Sequence, residues 1–281
     1  MAVVVGRGQG GNVSTSVTFA NMAAPGATSA EAPVAGTYTP QAGDLLVVAC
    51  WVLRDTPPVP PASATGLGPY RVVASGGGNG VGLTVAVTKV TGAVGANTGA
   101  WSPTPIANVD VVALRDADDV AAASAVLVSA ATATLSFPAL TLTRTDGTSV
   151  GLRWYARNTG VLFAGNPNTP GGLPMPAAEG TWEQMTTQRA PWGTGQQRMF
   201  SWARPGLAGD VPAFNWTGLN WGSLGNQPGC SVTLEVTSSA PPPAGGPLQG
   251  FDGTDWQAGA LSGWSGSGWA PARVWTGATW V

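Results

Sequence analysis

The chain has 281 residues, a net charge of −2 and 9% charged residues, against roughly 25% in ordinary globular proteins. Its length suits one large β-domain or two ordinary domains, and 43% hydrophobic residues exclude wholesale disorder. No basic patch stands out, which argues against a nucleic-acid partner, and the longest apolar run, residues 45–53, is too short to cross a bilayer, which argues against membrane insertion.

In chain order, Met1-Ala-Val-Val-Val-Gly-Arg7 lacks a basic region followed by a long apolar run, so no secretory signal is visible. Gly6-Arg-Gly-Gln-Gly-Gly11 is Gly-rich but lacks the Lys-Ser/Thr ending and the helix of a phosphate loop, and it reads as a flexible start. Residues 13–19 alternate and predict a strand. Residues 23–40, rich in Ala, Pro, Gly and Thr, predict a loop. Gly43-Asp44 opens the strongest run, 45–53, apolar at every position and therefore expected as a strand buried on both faces. Residues 56–61 hold four prolines and predict a connector. Residues 82–90 alternate, with Leu83, Val85 and Val87 on one face and Thr84, Ala86 and Thr88 on the other. Residues 109–114 predict a further strand.

Residues 120–133 are Ala-rich and follow Asp116, Asp118 and Asp119, so a helical turn is expected there. Residues 135–143 read as a strand broken by Pro138, and Asp146-Gly147 as a hairpin turn. Val150, Leu152 and Trp154 then alternate with Gly151, Arg153 and Tyr155. Residues 165–180 read as loop. Residues 198–204 place Phe200 and Trp202 on one face, and 231–236 put Val232, Leu234 and Val236 inward with Thr233 and Glu235 outward. About ten short strands with Gly/Pro turns predict an all-β, jelly-roll-like sandwich over residues 1–239. Residues 240–247 are a Pro-rich, stiff linker.

Residues 248–281 form a Trp-rich β-repeat module. Phe251-Asp-Gly-Thr-Asp-Trp256, Trp264-Ser-Gly-Ser-Gly-Trp269 and Trp275-Thr-Gly-Ala-Thr-Trp280 share one pattern. It runs aromatic, small polar, Gly, two residues, Trp, and such internal repetition means one small unit used again. Asp252-Gly253, Ser265-Gly266 and Thr276-Gly277 suit tight turns, and flanking aromatics can pair across the two arms. These rings are either the core of very small β-units or exposed faces that stack on a partner.

The order Gly43-Asp-Leu-Leu-Val-Val48, the 84–90 strand, Val111-Val-Ala-Leu-Arg-Asp116 and Asp146-Gly followed by an apolar strand resembles that of minor tail proteins of long-tailed (siphovirus-type) bacteriophages of actinobacteria. Pro271-Ala-Arg-Val-Trp-Thr-Gly-Ala-Thr-Trp280 is similar to the closing repeat of the same family. That family usually has Arg-Gly where this chain has Arg115-Asp116. The resemblance implies a virion component made in the host cytoplasm, at the tail tip or in a fibre, often oligomeric, acting in assembly and host adsorption. It implies other tail proteins as partners and no enzymatic activity.

The chemistry of the residues agrees with that last expectation. The chain has no histidine, which removes Ser-His-Asp triads, Cys-His pairs and the commonest zinc ligands. Cys50 and Cys230 stand in separate strand-like runs and are expected as buried free thiols, with one disulfide as the alternative. Asp116, Asp118 and Asp119 offer carboxylates to Ca²⁺ but lack the Gly and distal Glu of an EF-hand loop, so a solvated turn or helix start is expected. Glu179 and Glu183 flank Trp182, the composition of a glycosidase site, although sequence spacing does not set a carboxyl separation. No catalytic residue, cofactor or metal is therefore expected. The interaction residues expected are Phe251, Trp256, Trp264, Trp269, Trp275 and Trp280, in a homo-oligomer with a trimer preferred. The reading from another class is a carbohydrate-binding module for a cell-surface or cell-wall glycan.

Overall fold

A computed structural model describes residues 2–10, 14–24, 38–103, 108–132, 134–159, 182–192, 195–217, 227–238, 249–251, 256–258, 262–264 and 269–271. The chain divides into two compact units, Met1–Ser239 and Ala240–Val281.

The first unit is an all-β sandwich. One sheet holds β1 (Val3–Gln9), β2 (Leu45–Val52), β3 (Arg71–Gly78), β4 (Val81–Lys89) and β5 (Asn108–Arg115), in the order β1-β5-β2-β4-β3. The second holds β6 (Ala117–Ala123), β7 (Leu127–Ser129), β9 (Ser149–Thr159), β10 (Glu183–Trp192), β11 (Gly195–Leu207) and β13 (Gly229–Ser238), in the order β10-β11-β9-β13-β6, with β7 also on β13. The short strands β8 (Leu135–Phe137) and β12 (Phe214–Trp216) pair with each other. Neighbouring strands are antiparallel throughout. The connectivity departs from the expected jelly roll. The chain completes the first sheet before it starts the second, whereas the Greek keys of a jelly roll thread both sheets.

Three apolar layers explain why so few charges are needed. Between the sheets lie Leu45, Val47, Ala49 and Trp51 of β2, with Leu83 and Val85 of β4, Leu152 and Trp154 of β9, and Val232, Leu234 and Val236 of β13. The other face of β2, with Leu46, Val48, Cys50 and Val52, is also buried, under Val17, Phe19, Met22 and Trp101. The uniformly apolar run thus reports a strand covered on both sides. The far face of the second sheet carries Tyr155 and Trp202 under Phe137, Leu140, Leu142, Leu207 and Val211.

The cover of the first sheet corrects the expected strand at 13–19. Among the described residues there, 14–18 are irregular and Phe19–Asn21 is one 3₁₀ turn, laid on the sheet face. The Gly-rich start is likewise a strand, β1. A Cβ on Gly6 would stand 2.2 Å from the Tyr38 ring, so glycine there admits a close neighbour rather than motion. No helical turn follows the aspartates; β6 and β7 occupy that stretch. Alanine runs pack equally well at a narrow sheet edge, and tertiary pairing overrides their helix propensity.

The second cover is a strap at 135–144, pinned by alternate residues of β13. Ser231 Oγ donates to the Ser136 carbonyl at 2.6 Å and Thr233 Oγ1 to the Pro138 carbonyl at 3.0 Å. Glu235 accepts from Thr143 N at 2.6 Å, Thr143 Oγ1 at 2.9 Å, Arg144 N at 3.2 Å and Ser149 Oγ at 2.7 Å. Thr233 and Glu235 do face away from the inter-sheet core, as alternation predicts, but both are fully buried. Pro138 ends β8, so only 135–137 of the expected 135–143 strand forms. Asp146-Gly147 is not a hairpin either: Thr148 N and Oγ1 donate to Asp146 Oδ1, an Asx turn leading into β9.

Cys50 and Cys230 are buried free thiols. Burial pushes Cys50 well up and Cys230 up to about 12, so neither is a nucleophile at neutral pH. The expected loops at 165–180 and in residues 25–37, and the linker 240–247, lie outside the described residues.

Replacing Glu235 by Ala strands four donors, two of them backbone amides, and is expected to lower stability by about 3–5 kcal/mol. Urea unfolding of residues 1–239 measures it, and a loss below about 1 kcal/mol would remove Glu235 as the anchor of the strap.

Candidate functional site

The second unit contains two hairpins in the described residues. β14 (Gln249–Phe251) pairs antiparallel with β15 (Trp256–Ala258), and β16 (Ser262–Trp264) with β17 (Trp269–Pro271). The registers place Phe251 opposite Trp256 and Trp264 opposite Trp269. In each, the aromatic pair flanks the connection, residues 252–255 or 265–268, that carries the Asp-Gly or Ser-Gly turn signal. The two hairpins are therefore the same unit repeated at a spacing of 13. Trp275 and Trp280 share the five-residue separation of the first two pairs but lie outside the described residues. Isolated two-stranded hairpins of three-residue arms are marginal in water.

In the sandwich, the stretches that carry the family resemblance meet in space. Asp44, 2% exposed at its side chain, accepts from Arg115 Nε at 3.2 Å, from Gln41 N at 2.8 Å and from the Tyr38 hydroxyl. Arg115 also donates to Tyr38 Oη at 3.0 Å and Gln41 Oε1 at 2.9 Å. Burial, then the bond to Asp44, pushes the Tyr38 phenol above its usual range. The hydrogen bond to Asp44, then its charge, holds the Arg115 guanidinium above its ordinary value. Gly43 sits at φ +94° and Asp116 at φ +55°. Asp thus holds a left-handed position that glycine adopts more readily.

Glu179 lies outside the described residues, and Glu183 opens β10 exposed. Trp182 is buried, with Arg153 stacked 4.5 Å from its ring centroid and Phe137 holding the same guanidinium at 4.9 Å, so it offers no open face to a sugar. Asp119 pairs with Arg71 and accepts from Val120 N at 2.8 Å. Among the described residues no group of three acidic or cysteine side chains is placed to hold a metal ion.

Sequence reasoning missed one constellation. Arg157 of β9 stands opposite Arg198 of β11, which stands opposite Arg189 of β10. Separations of 41 and 9 residues along the chain hide a row that the sheet closes to neighbouring strands. Comparison with protein-family models, curated proteins and solved structures finds no match to this chain.

Changing Asp116 to Gly is expected to leave the fold intact and raise stability by up to about 1 kcal/mol, while Asp116→Val lowers it by about 1–2 kcal/mol. Thermal melting of both variants reads the difference, and an equal effect of the two would refute a left-handed residue 116.

Proposed function

We propose that this chain is a structural and interaction component of a phage virion, a minor tail protein of the tail tip or a fibre, acting in tail assembly and host-surface adsorption. The observation that carries the reading is the recurrence of one hairpin with aromatic residues at opposed positions beside its turn. The two hairpins share their sequence pattern with Trp275–Trp280, in the stretch that resembles the end of such proteins, and they follow a sandwich whose Asp44–Arg115 pair links two further stretches of the resemblance. In this reading the chain is made in the host cytoplasm, is not an enzyme, and partners other tail proteins. Phe251, Trp256, Trp264, Trp269, Trp275 and Trp280 form its association surface.

Size argues for a homo-oligomer. Residues 248–281 are 34 residues, below the roughly 40 at which a lone domain needs disulfides, metal or association, and they contain no Cys and no His. Six aromatic residues in such a segment are a large apolar load for a monomer, and closed symmetry is the commonest solution. A trimer suits a tail tip or fibre.

The test compares 248–281 alone with the same segment fused to a trimerising scaffold, by tryptophan emission and proteolysis. The fused form is expected to be blue-shifted and protected, and the free form to be neither. A folded, resistant free monomer would end the oligomer reading, and equal disorder in both would assign the surface to a different tail protein. Retention of the full chain on purified cell-wall glycan, lost when Trp256 and Trp269 are changed to Ala, would favour the carbohydrate-binding module instead.

A further inference from the structure

We infer that Asn79 is a deamidation site, converted to aspartate and isoaspartate, and that Asp55 holds the conversion back. The inference does not depend on the tail-protein reading.

The sequence supplies the first reason. Asn79 is the one asparagine of the chain that a glycine follows. The attacking atom in deamidation is the backbone nitrogen of the next residue, and glycine puts no side chain in its path. The structure adds exposure and room. Asn79 and Gly80 are the tip of the β3–β4 hairpin, both exposed, at φ +55° and +80°. The Asn79 side chain has no partner among the described residues, and a Cβ on Gly80 would meet no atom within 4 Å. The tip therefore leaves space for a ring closed between the two residues.

The step exchanges ammonia for water. A base from solvent removes the proton of Gly80 N. The nitrogen then bonds to Asn79 Cγ, and the bond from Cγ to the side-chain nitrogen breaks. Ammonia leaves with a proton taken from water, and a succinimide remains. Water opens that ring at either carbonyl and leaves aspartate or isoaspartate at 79. No oxidant or reductant takes part.

Asp55 acts on the attacking nitrogen. A Cβ on Gly77 would stand 2.0 Å from the Asp55 carbonyl oxygen, so glycine there lets the connector after β2 lie against β3. From that position the side chain reaches the hairpin tip, and Gly80 N donates to Asp55 Oδ1 at 2.6 Å. The bond opposes the reaction twice. It engages the N–H in a charge-assisted hydrogen bond, and its carboxylate disfavours the negative charge that builds on nitrogen as the proton leaves. Gly78 pairs with Val81, whose side chain is buried, so the ladder holds the turn from its other side. Attack therefore awaits a local opening of the tip.

Conversion changes the hairpin in two ways. Either product places a carboxylate near Asp55, a like charge. Isoaspartate also adds a methylene to the main chain of a two-residue turn, which is matched to the twist of its strands at its native length. β3 is the terminal strand of its sheet, with β4 as its one neighbour there, so a loosened turn frees the edge of the sandwich at that end.

The experiment incubates the full chain at mildly alkaline pH and follows every asparagine by peptide mapping and mass spectrometry. In the native parent, Asn79 is expected to convert before any other asparagine, and in urea it is expected to convert faster still. Asp55→Ala, checked by thermal melting for a native fold, is expected to convert Asn79 at least about threefold faster than the parent. Asp55→Asn keeps an accepting oxygen and loses the charge, so its rate is expected to lie between the two. It carries the test if Asp55→Ala does not fold. Aged parent is expected to melt below fresh parent, and Asn79→Gln is expected to lose that difference. Conversion of another asparagine ahead of Asn79 would overturn the site, as would none at all. A rate in the Asp55 variants at or below that of the parent would overturn the guard. Equal melting of fresh and converted parent would overturn the effect on the hairpin.

Discussion

One buried carboxylate fixes how the two sheets of the sandwich face each other. Asp110 of β5 points into the apolar layer, fully buried, and accepts from Trp154 Nε1 of β9 at 2.7 Å. Arg7 of β1 lies beside it, its guanidinium lowered by burial and raised in turn by Glu183 and Asp110. Apolar layers slide past each other at little cost, since dispersion has no direction. A charged group in the same layer does not, because moving it by one residue leaves it without donors in a low dielectric. Lys89 Nζ on the Ala117 carbonyl adds a tie between β4 and β6, and Arg71 with Asp119 another at the exposed edge, where an ion pair contributes little. The four apolar strands β2, β4, β9 and β13 make the sandwich cohesive, and Asp110 fixes its alignment.

What the sequence made legible follows from the same physics. β2, β4, β9 and β13 were readable because their side chains do the packing, so burial writes itself into the residue pattern. β1 and β3 were not, because each is rich in glycine, and the reason for the glycines lies in neighbours distant in the chain. Gly6 yields to Tyr38, and Gly76 to Val126, whose Cβ would stand 2.9 Å from an added methyl. β3 did leave one sign: Asn79-Gly80, at φ +55° and +80°, is the two-residue hairpin turn that joins it to β4. The alternation in 231–236 gave the inward face correctly but not the fate of the outward one. Polar residues on a strand look the same whether they meet water or, as Ser231, Thr233 and Glu235 do, a strap of the chain's own backbone.

The candidate sites divide along the same line. The aromatic hairpins repeat locally, so spacing alone revealed them, and the observed registers agree with the aromatic pairing expected of the first two repeats. The arginine row is assembled from three strands and had no local signature. Low charge also takes on a different meaning. Three apolar layers inside one unit already consume much of the chain's hydrophobic residues, so few charges do not require a surface covered by other proteins.

β13 has a mechanical consequence. It ends at Ser238, directly before the residues that lead to the C-terminal unit, and it lies inside its sheet, with β9 on one side and β6 and β7 on the other. A force drawn along the axis of β13 at Ser238 would meet both flanking ladders at once. The ladders on both flanks, together with the three side-chain pins to the strap, would bear that load in parallel rather than one bond at a time. Had the exit come from an edge strand peeled at right angles, the bonds would fail in sequence. The topology makes this end of the sandwich a strand that yields in shear rather than by peeling.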